Sequence, residues 1–287
     1  MGNMWRYDPY DIRKFKCGDI KTFVDIGGNQ GLASLTAFGA WHDSECRILL
    51  IEPFPPTLEK AKELLGGWAL HMGVETYNMA LGNDETLYFI GGRFHGEYKF
   101  CTQKEYDELA EQWGKEGFRT TEEFLKLPIQ SYRLPALMQK LEVDQTKDYF
   151  LKIDCEGGER FLFDDPDALA ILSKSAQTSM EIHYMGSLDP LVFVKFALFM
   201  SETHIVRKTF QQENGEHVHL VLKPEELKYI HGTGNTKAAK AIWRNHSEAT
   251  FVRKDWAKKR LSNERTFTDC ALEHGWSVGK WLDDLDL

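Results

Sequence analysis

The stretch Leu151–Glu159, LKIDCEGGE, gathers a lysine and three carboxylates around a glycine pair. Strand alternation puts Lys152 and Asp154 on one face, with Ile153 on the other. Glu156, Gly157, Gly158 and Glu159 come directly after. So much charge is costly inside a core, so these residues are expected to line a cleft. Helix capping is the plainer alternative, with Asp154 or Glu156 accepting from the first N–H groups of a following helix. One strand later, Glu181 and His183 in MEIHY again share a face near a strand end. An imidazole or carboxylate at hydrogen-bond reach of a reacting group can act as a general base, an effect worth roughly 10²- to 10⁴-fold. His183 or Asp154 could take that role, with Glu156 or Glu181 orienting it, and His183 has the better unperturbed pKa for neutral pH. A divalent metal, Mg or Mn, held by Asp154, Glu156 or His183 could acidify a bound proton donor instead. His217 and His219 also share a face, as alternation alone would place them.

A second cluster comes earlier, in FVDIGGNQG, Phe23–Gly31. Gly27, Gly28, Asn29 and Gly31 form a turn between a short apolar run and a helix-like pattern, where backbone N–H groups are exposed and a ligand can lie against the chain. The spacing is GGxxG and no lysine follows Gly31 in the manner of a phosphate loop, so dinucleotide and triphosphate sites fit poorly. An adenosyl-sulfonium ligand, with an amino-acid end, a ribose diol and an adenine but no phosphate, fits better. Asp25 would hold the amino group directly or through water, Glu52 would accept both ribose hydroxyls, and Asn78 would face adenine. All three stand where open α/β sheets bind ligands, beyond the carboxyl ends of strands. Ordinary turn chemistry is the competing explanation of the glycines.

The elements that must carry these residues follow the α/β rhythm. Residues 21–26, CRILLIEP and VETYNMAL read as buried strands, separated by the helical patterns of LASLTAFGAWHD and TLEKAKELL. Residues 83–130 interrupt the alternation as an insertion: ETLYFIGG is an added strand, while QKEYDELAEQWGKEG and TTEEFLKL read as charged surface helices. Strand, turn and helix resume at DYFLKIDCEGGERFLF. QTSMEIHY is the next strand and DPLVFVKFALFMSE the next helix. HIVRKTF and HVHLVLK pair as a closing hairpin. The organisation expected is an N-terminal arm (1–21), a ligand-binding domain (22–223) and an appended helical region (224–287).

The 287 residues carry a net charge of −9, so bulk attraction to nucleic acid or an acidic membrane is not expected. Lys237, Lys240, Arg244, Arg253, Lys254, Lys258, Lys259 and Arg260, interleaved with Trp243 and Trp256, leave a local polyanion contact open, though a solvated helix face is the ordinary reading. Five scattered cysteines without a CxxC suit reduced thiols in a cytoplasmic protein. No signal-peptide pattern opens the chain, and no apolar run approaches a membrane span.

Taken in order, VDIGGNQG, IEPFP, NMALG, LKIDCEGGE and EIHY resemble the FkbM-type S-adenosylmethionine-dependent methyltransferases over about residues 22–184. The resemblance implies a class I methyltransferase (Rossmann-like) α/β fold: a seven-stranded, mostly parallel sheet flanked by helices, its last strand antiparallel, here with a C-terminal helical extension. It implies Asp25, Gly27, Asn29 and Gly31 in the cofactor loop, Glu52 at the ribose, and Asn78 and Ala80 at the adenine side. Asp154, Glu156 and Glu159 match the second acidic motif, and Glu181 and His183 the later one. The implied activity is O-methylation of a sugar, glycan or other small natural product. A nicotinamide-dependent oxidoreductase, a protein- or RNA-directed enzyme and a non-catalytic binding module are the alternatives. Residues 93–147 and those beyond 224 depart from the family pattern, which leaves acceptor and oligomeric state open.

Overall fold

The computed structural model describes residues 10–257 apart from 17, 42–44, 72, 93–98, 116–123, 184–188, 212–216 and 243–246. Short, continuously apolar runs build the middle of the molecule, as expected for strands covered on both faces. They are β1 (Thr22–Ile26), β2 (Arg47–Ile51) and β3 (Val74–Tyr77), then β8 (Tyr149–Ile153) and β9 (Gln177–Ile182) after the insertion. β1 pairs in parallel with β2 and β8, β2 with β3, and β8 with β9. Helices α1 (Leu32–Trp41) and α2 (Pro55–His71) cover one face, where Phe23, Phe150, Phe38 and Trp41 pack together. Helices α4 (Leu134–Lys140), α5 (Pro166–Leu172) and α6 (Pro190–Met200) cover the other.

The central sheet has eight strands and is mixed, which corrects the seven-stranded expectation. Its order is β11-β10-β12-β9-β8-β1-β2-β3, with β10 (His204–Gln211), β11 (His217–Leu222) and β12 (Ser247–Arg253). The β10–β11 hairpin forms as expected. The antiparallel last strand is β12, which enters between β9 and β10 and pairs antiparallel with both. The region beyond 224 is therefore not an appended helical extension within the described residues. α7 (Pro224–Thr233) and α8 (Thr236–Ile242) bury Leu227, Ile230, Ala238, Ala239 and Ile242 in the main core, and β12 adds Ala249 and Phe251. These helices explain why α6 is apolar nearly all round: sheet covers one side and α7 and α8 the other. Trp256 and Ala257 of α9 (Lys254–Ala257) pack on the opposite face. Trp243, Arg244, Lys258, Lys259 and Arg260 of the basic run lie outside the described residues.

The insertion, together with β4 (Ala80–Leu81) just before it, forms a second, four-stranded sheet with β7 (Phe124–Tyr132), β5 (Thr86–Gly92) and β6 (Lys99–Cys101), in the order β4-β7-β5-β6. α3 (Gln103–Lys115) is the expected charged helix. Residues 124–127, expected to be helical, are strand: β7 pairs with β5 along the full length of β5, and Pro128 within it cannot serve a helix interior. No helix among the described residues is long and apolar enough to cross a membrane.

Candidate active site

The carboxyl ends of β1, β2 and β8 open into one cleft. Ile26, Gly27, Asn29, Glu52 and Phe54 line it from one side, and Asp154, Cys155 and Glu156 from the other. Met79, Ala80 and Leu81 add an apolar floor. Both turns at its rim hold a non-glycine residue in the left-handed region, Asn29 at φ 47° and Glu156 at φ 51°. Such conformations persist only where the surroundings impose them.

On the first wall Glu52 and Asn78 are engaged with the main chain. Glu52 takes the N–H of Asn29 on Oε2 and that of Phe54 on Oε1, each at 2.9 Å. Burial raises its pKa despite these two bonds, and each oxygen keeps a lone pair for a further donor. Asn78 does not stand free to face a base: its Nδ2 donates to the carbonyls of Glu52 and Pro53 at 3.0 and 2.8 Å. Asp25 is buried below the cleft and does not line it. Its Oδ2 accepts from the N–H and hydroxyl of Ser34 at 3.1 and 2.7 Å, tying β1 to the first turn of α1. The close approach at Gly27 is made by the protein itself. A Cβ there would stand 1.7 Å from the Asp154 carbonyl oxygen, at a φ of +73°. Gly28 and Gly31 likewise leave room for Leu50.

The second wall is built from charges. Lys152, almost wholly buried, donates to the Gly27 carbonyl at 2.6 Å and pairs with Asp25 at 3.2 Å and Asp154 at 3.6 Å. Burial opposes its charge, but Asp25 and Asp154 outweigh it and hold its pKa above the ordinary lysine value. His183 receives its main restraint from Glu159, which accepts from the His183 backbone N–H at 2.7 Å and meets Nδ1 at 3.1 Å. The sequence pattern pointed to Glu156 or Glu181 for that orienting role. Nε2 instead faces Glu156 at 3.5 Å, Glu181 at 3.8 Å and Asp154 at 4.0 Å. Burial works against the imidazolium, yet the hydrogen bond and charge of Glu159, with Glu156 and Asp154, push His183 up to about 9. Burial and the neighbouring acids raise the pKa of Glu156, with His183 opposing them.

The structure thus brings Asp154, Glu156, Glu181 and His183 together, and places Gly27, Asn29, Glu52 and Ala80 on the same cleft. Asp25, Gly28, Gly31 and Asn78 support it from behind. One residue that no local pattern marks also enters: the Tyr10 hydroxyl donates to Asp154 Oδ2 at 3.1 Å. Asp154, Glu156 and His183 each offer a donor atom, all within 4.8 Å of one another, and two carboxylates with an imidazole form a set that suits a divalent cation such as Mn²⁺.

Among solved structures, the FkbM methyltransferase of Methylobacillus flagellatus KT is similar at 15% identity and a TM-score of 0.35, over 58% of this chain and 34% of that one. This chain therefore spans well under two thirds of that protein. Precorrin-6y C5,15-methyltransferase of Geobacter metallireducens GS-15 is similar at 10% identity and a TM-score of 0.36, over 84% of this chain and 86% of that one. No curated protein matches the chain. The model of the methyltransferase FkbM domain matches residues 25–236, most of the chain's length, and the protein belongs to the FkbM methyltransferase family.

Proposed function

We propose that this protein is an S-adenosylmethionine-dependent O-methyltransferase acting on a hydroxyl of a sugar, glycan or other small natural product. The observation that supports it is that Glu52 and the Asp154–Glu156 turn line a single cleft. The cofactor fits the first wall by its donor set. Glu52 has lone pairs for a ribose diol, and Phe54, Met79, Ala80 and Leu81 offer apolar surface for a flat base. When bound, the sulfonium supplies an already activated methyl carbon. The chain must then align an acceptor oxygen with it and receive the proton released as the O–C bond forms.

Asp154 is the group we assign to that proton. Asp154 lines the cleft and His183 is not among its lining residues, so the part of His183 is to hold the acidic cluster together and to balance the negative charge that Glu156, Glu181 and Asp154 present. Lys152 holds Asp154 from below. The second reading, favoured by the convergence of Asp154, Glu156 and His183, is a divalent cation that would lower the pKa of the acceptor hydroxyl.

Two measurements test the proposal. Calorimetry with S-adenosylhomocysteine should give one site per chain, with no heat from NAD. Labelled methyl groups from S-adenosylmethionine should then appear in at least one member of a panel of hexoses, 6-deoxyhexoses, uronic acids and polyols. Absence of S-adenosylhomocysteine binding, or binding of NAD in its place, defeats the proposal. Activity that survives EDTA removes the cation.

A further inference from the structure

Just below the strand ends that form the cleft, a row of polar side chains crosses the sheet. Strand register sets Asp25 beside Lys152, Lys152 beside Ser179, Ser179 beside Thr250, and Thr250 beside Arg207. All five are buried, an arrangement that is costly unless each finds partners. Many of those partners come from one short segment near the start of the described chain. Asp11 ion-pairs with Arg207. The carbonyl of Tyr10 accepts from Gln177 Nε2 at 2.8 Å and from the Ser179 hydroxyl at 3.1 Å. The Tyr10 ring lies over the Lys152 ammonium at 5.4 Å, a cation–π contact. Ile12 and Phe15 then bury themselves against Trp41, Phe150 and Trp256. The segment is docked from both ends, with Tyr10 held at the edge of the active site.

We propose that Tyr10 is a positioning residue for methyl transfer, acting through Asp154. This rests on the reading of Asp154 as the proton acceptor. A carboxylate at a strand end can turn about its last torsion and present either oxygen. Here Oδ2 is taken by the Tyr10 hydroxyl at 3.1 Å and faces the Lys152 ammonium at 3.6 Å. Oδ1 is left on the side of His183 Nε2, 4.0 Å away. Tyr10 therefore selects which oxygen meets the acceptor. In the step it serves, the acceptor oxygen bonds the methyl carbon, the S–C bond breaks with its electron pair remaining on sulfur, and the acceptor proton passes to Asp154 Oδ1.

Tyr10→Phe removes only the hydroxyl and leaves a ring over Lys152. The test compares the full-length wild type, Tyr10→Phe, Asp154→Ala and the double variant. Turnover is read with the best acceptor of the sugar panel, and binding by calorimetry with S-adenosylhomocysteine. Tyr10→Phe should lower kcat about tenfold while KM and the S-adenosylhomocysteine Kd move less than about twofold, and it should change the residual rate of Asp154→Ala by less than about twofold. Equal losses in both backgrounds, weakened S-adenosylhomocysteine binding or full turnover in Tyr10→Phe would each overturn the proposal. A wild type that methylates no sugar in the panel refutes the acceptor class by itself. The urea midpoints of the four proteins then decide on Tyr10. A midpoint loss confined to proteins that retain Asp154 supports the assignment, and equal losses in the two backgrounds overturn it.

Discussion

The two walls of the cleft are held in opposite ways. On the Glu52 side, the two strand-end stations are engaged with backbone, Glu52 with two N–H groups and Asn78 with two carbonyls, and Asp25 below them is tied to the start of α1 and to Lys152. On the Asp154 side, side chains hold side chains, and several like charges share one imidazole and one ammonium. The first wall inherits its shape from strand ends and turns. The second depends on a balance of charge that a single deprotonation can upset. On the proposed function, a site that recognises a constant cofactor and also moves a proton has reason to be rigid on one side and titratable on the other.

The largest effect is expected where the walls touch. Gly27→Ala drives a Cβ into the Asp154 carbonyl and strains a left-handed residue at the same time. We expect a loss of more than about 3 kcal/mol in urea unfolding, with S-adenosylhomocysteine binding lost as well. Gly232→Ala in α7 is the control: nothing lies within 4 Å of the added carbon, and the helix gains up to about 1 kcal/mol.

The next prediction separates the walls by pH. The folded pKa of His183 lies above its unfolded value. Its contribution to stability is therefore complete below about pH 6.5 and lost as pH rises through about 9. The difference amounts to about 3 kcal/mol between those limits, read as urea midpoints at pH 6 and pH 10. His183→Asn should flatten that dependence. Wild-type stability that does not fall across this window would show that the second wall is not held by charge. On the first wall, Glu52→Gln should weaken S-adenosylhomocysteine at least about tenfold, or about 1.4 kcal/mol, and leave the His183 pH dependence in place.

Much of both walls was legible in sequence. Strand ends and glycine turns are local, so β1, β2 and β8 and the stations at Gly27, Glu52 and Asp154 could be read from apolar runs and the turn residues that close them. The glycines were legible as a close approach, but the partner was not: it is the chain's own Asp154, 127 residues on. β12 was missed because SEATFVR is short and comes after a basic stretch. Its only sign was the alternation of Ala249 and Phe251 with Thr250 and Val252, and its position came from pairing with strands already in place. Tyr10 had no sign at all, since a hydrogen bond across 144 residues leaves no periodicity. Glu159 was seen as part of a motif, but only the turn of the chain after Gly157 shows that it, and not Glu156, holds His183.

The smallest effect concerns Asn78, and there the direction matters more than the size. If its amide served as an acceptor for the amino group of an adenine, Asn78→Asp would keep that acceptor and cost little. In the structure its Nδ2 donates to two carbonyls, and an aspartate offers nothing to donate. Asn78→Ala lets water reach the freed carbonyls and should cost about 1 kcal/mol, with a loss of a few fold in S-adenosylhomocysteine affinity as the Glu52–Pro53 bend relaxes. Asn78→Asp sets a carboxylate against the same two oxygens and should cost more than alanine does. An aspartate variant that is more stable than the alanine variant, or binds more tightly, would place Asn78 in the ligand's contacts and not in the brace behind Glu52.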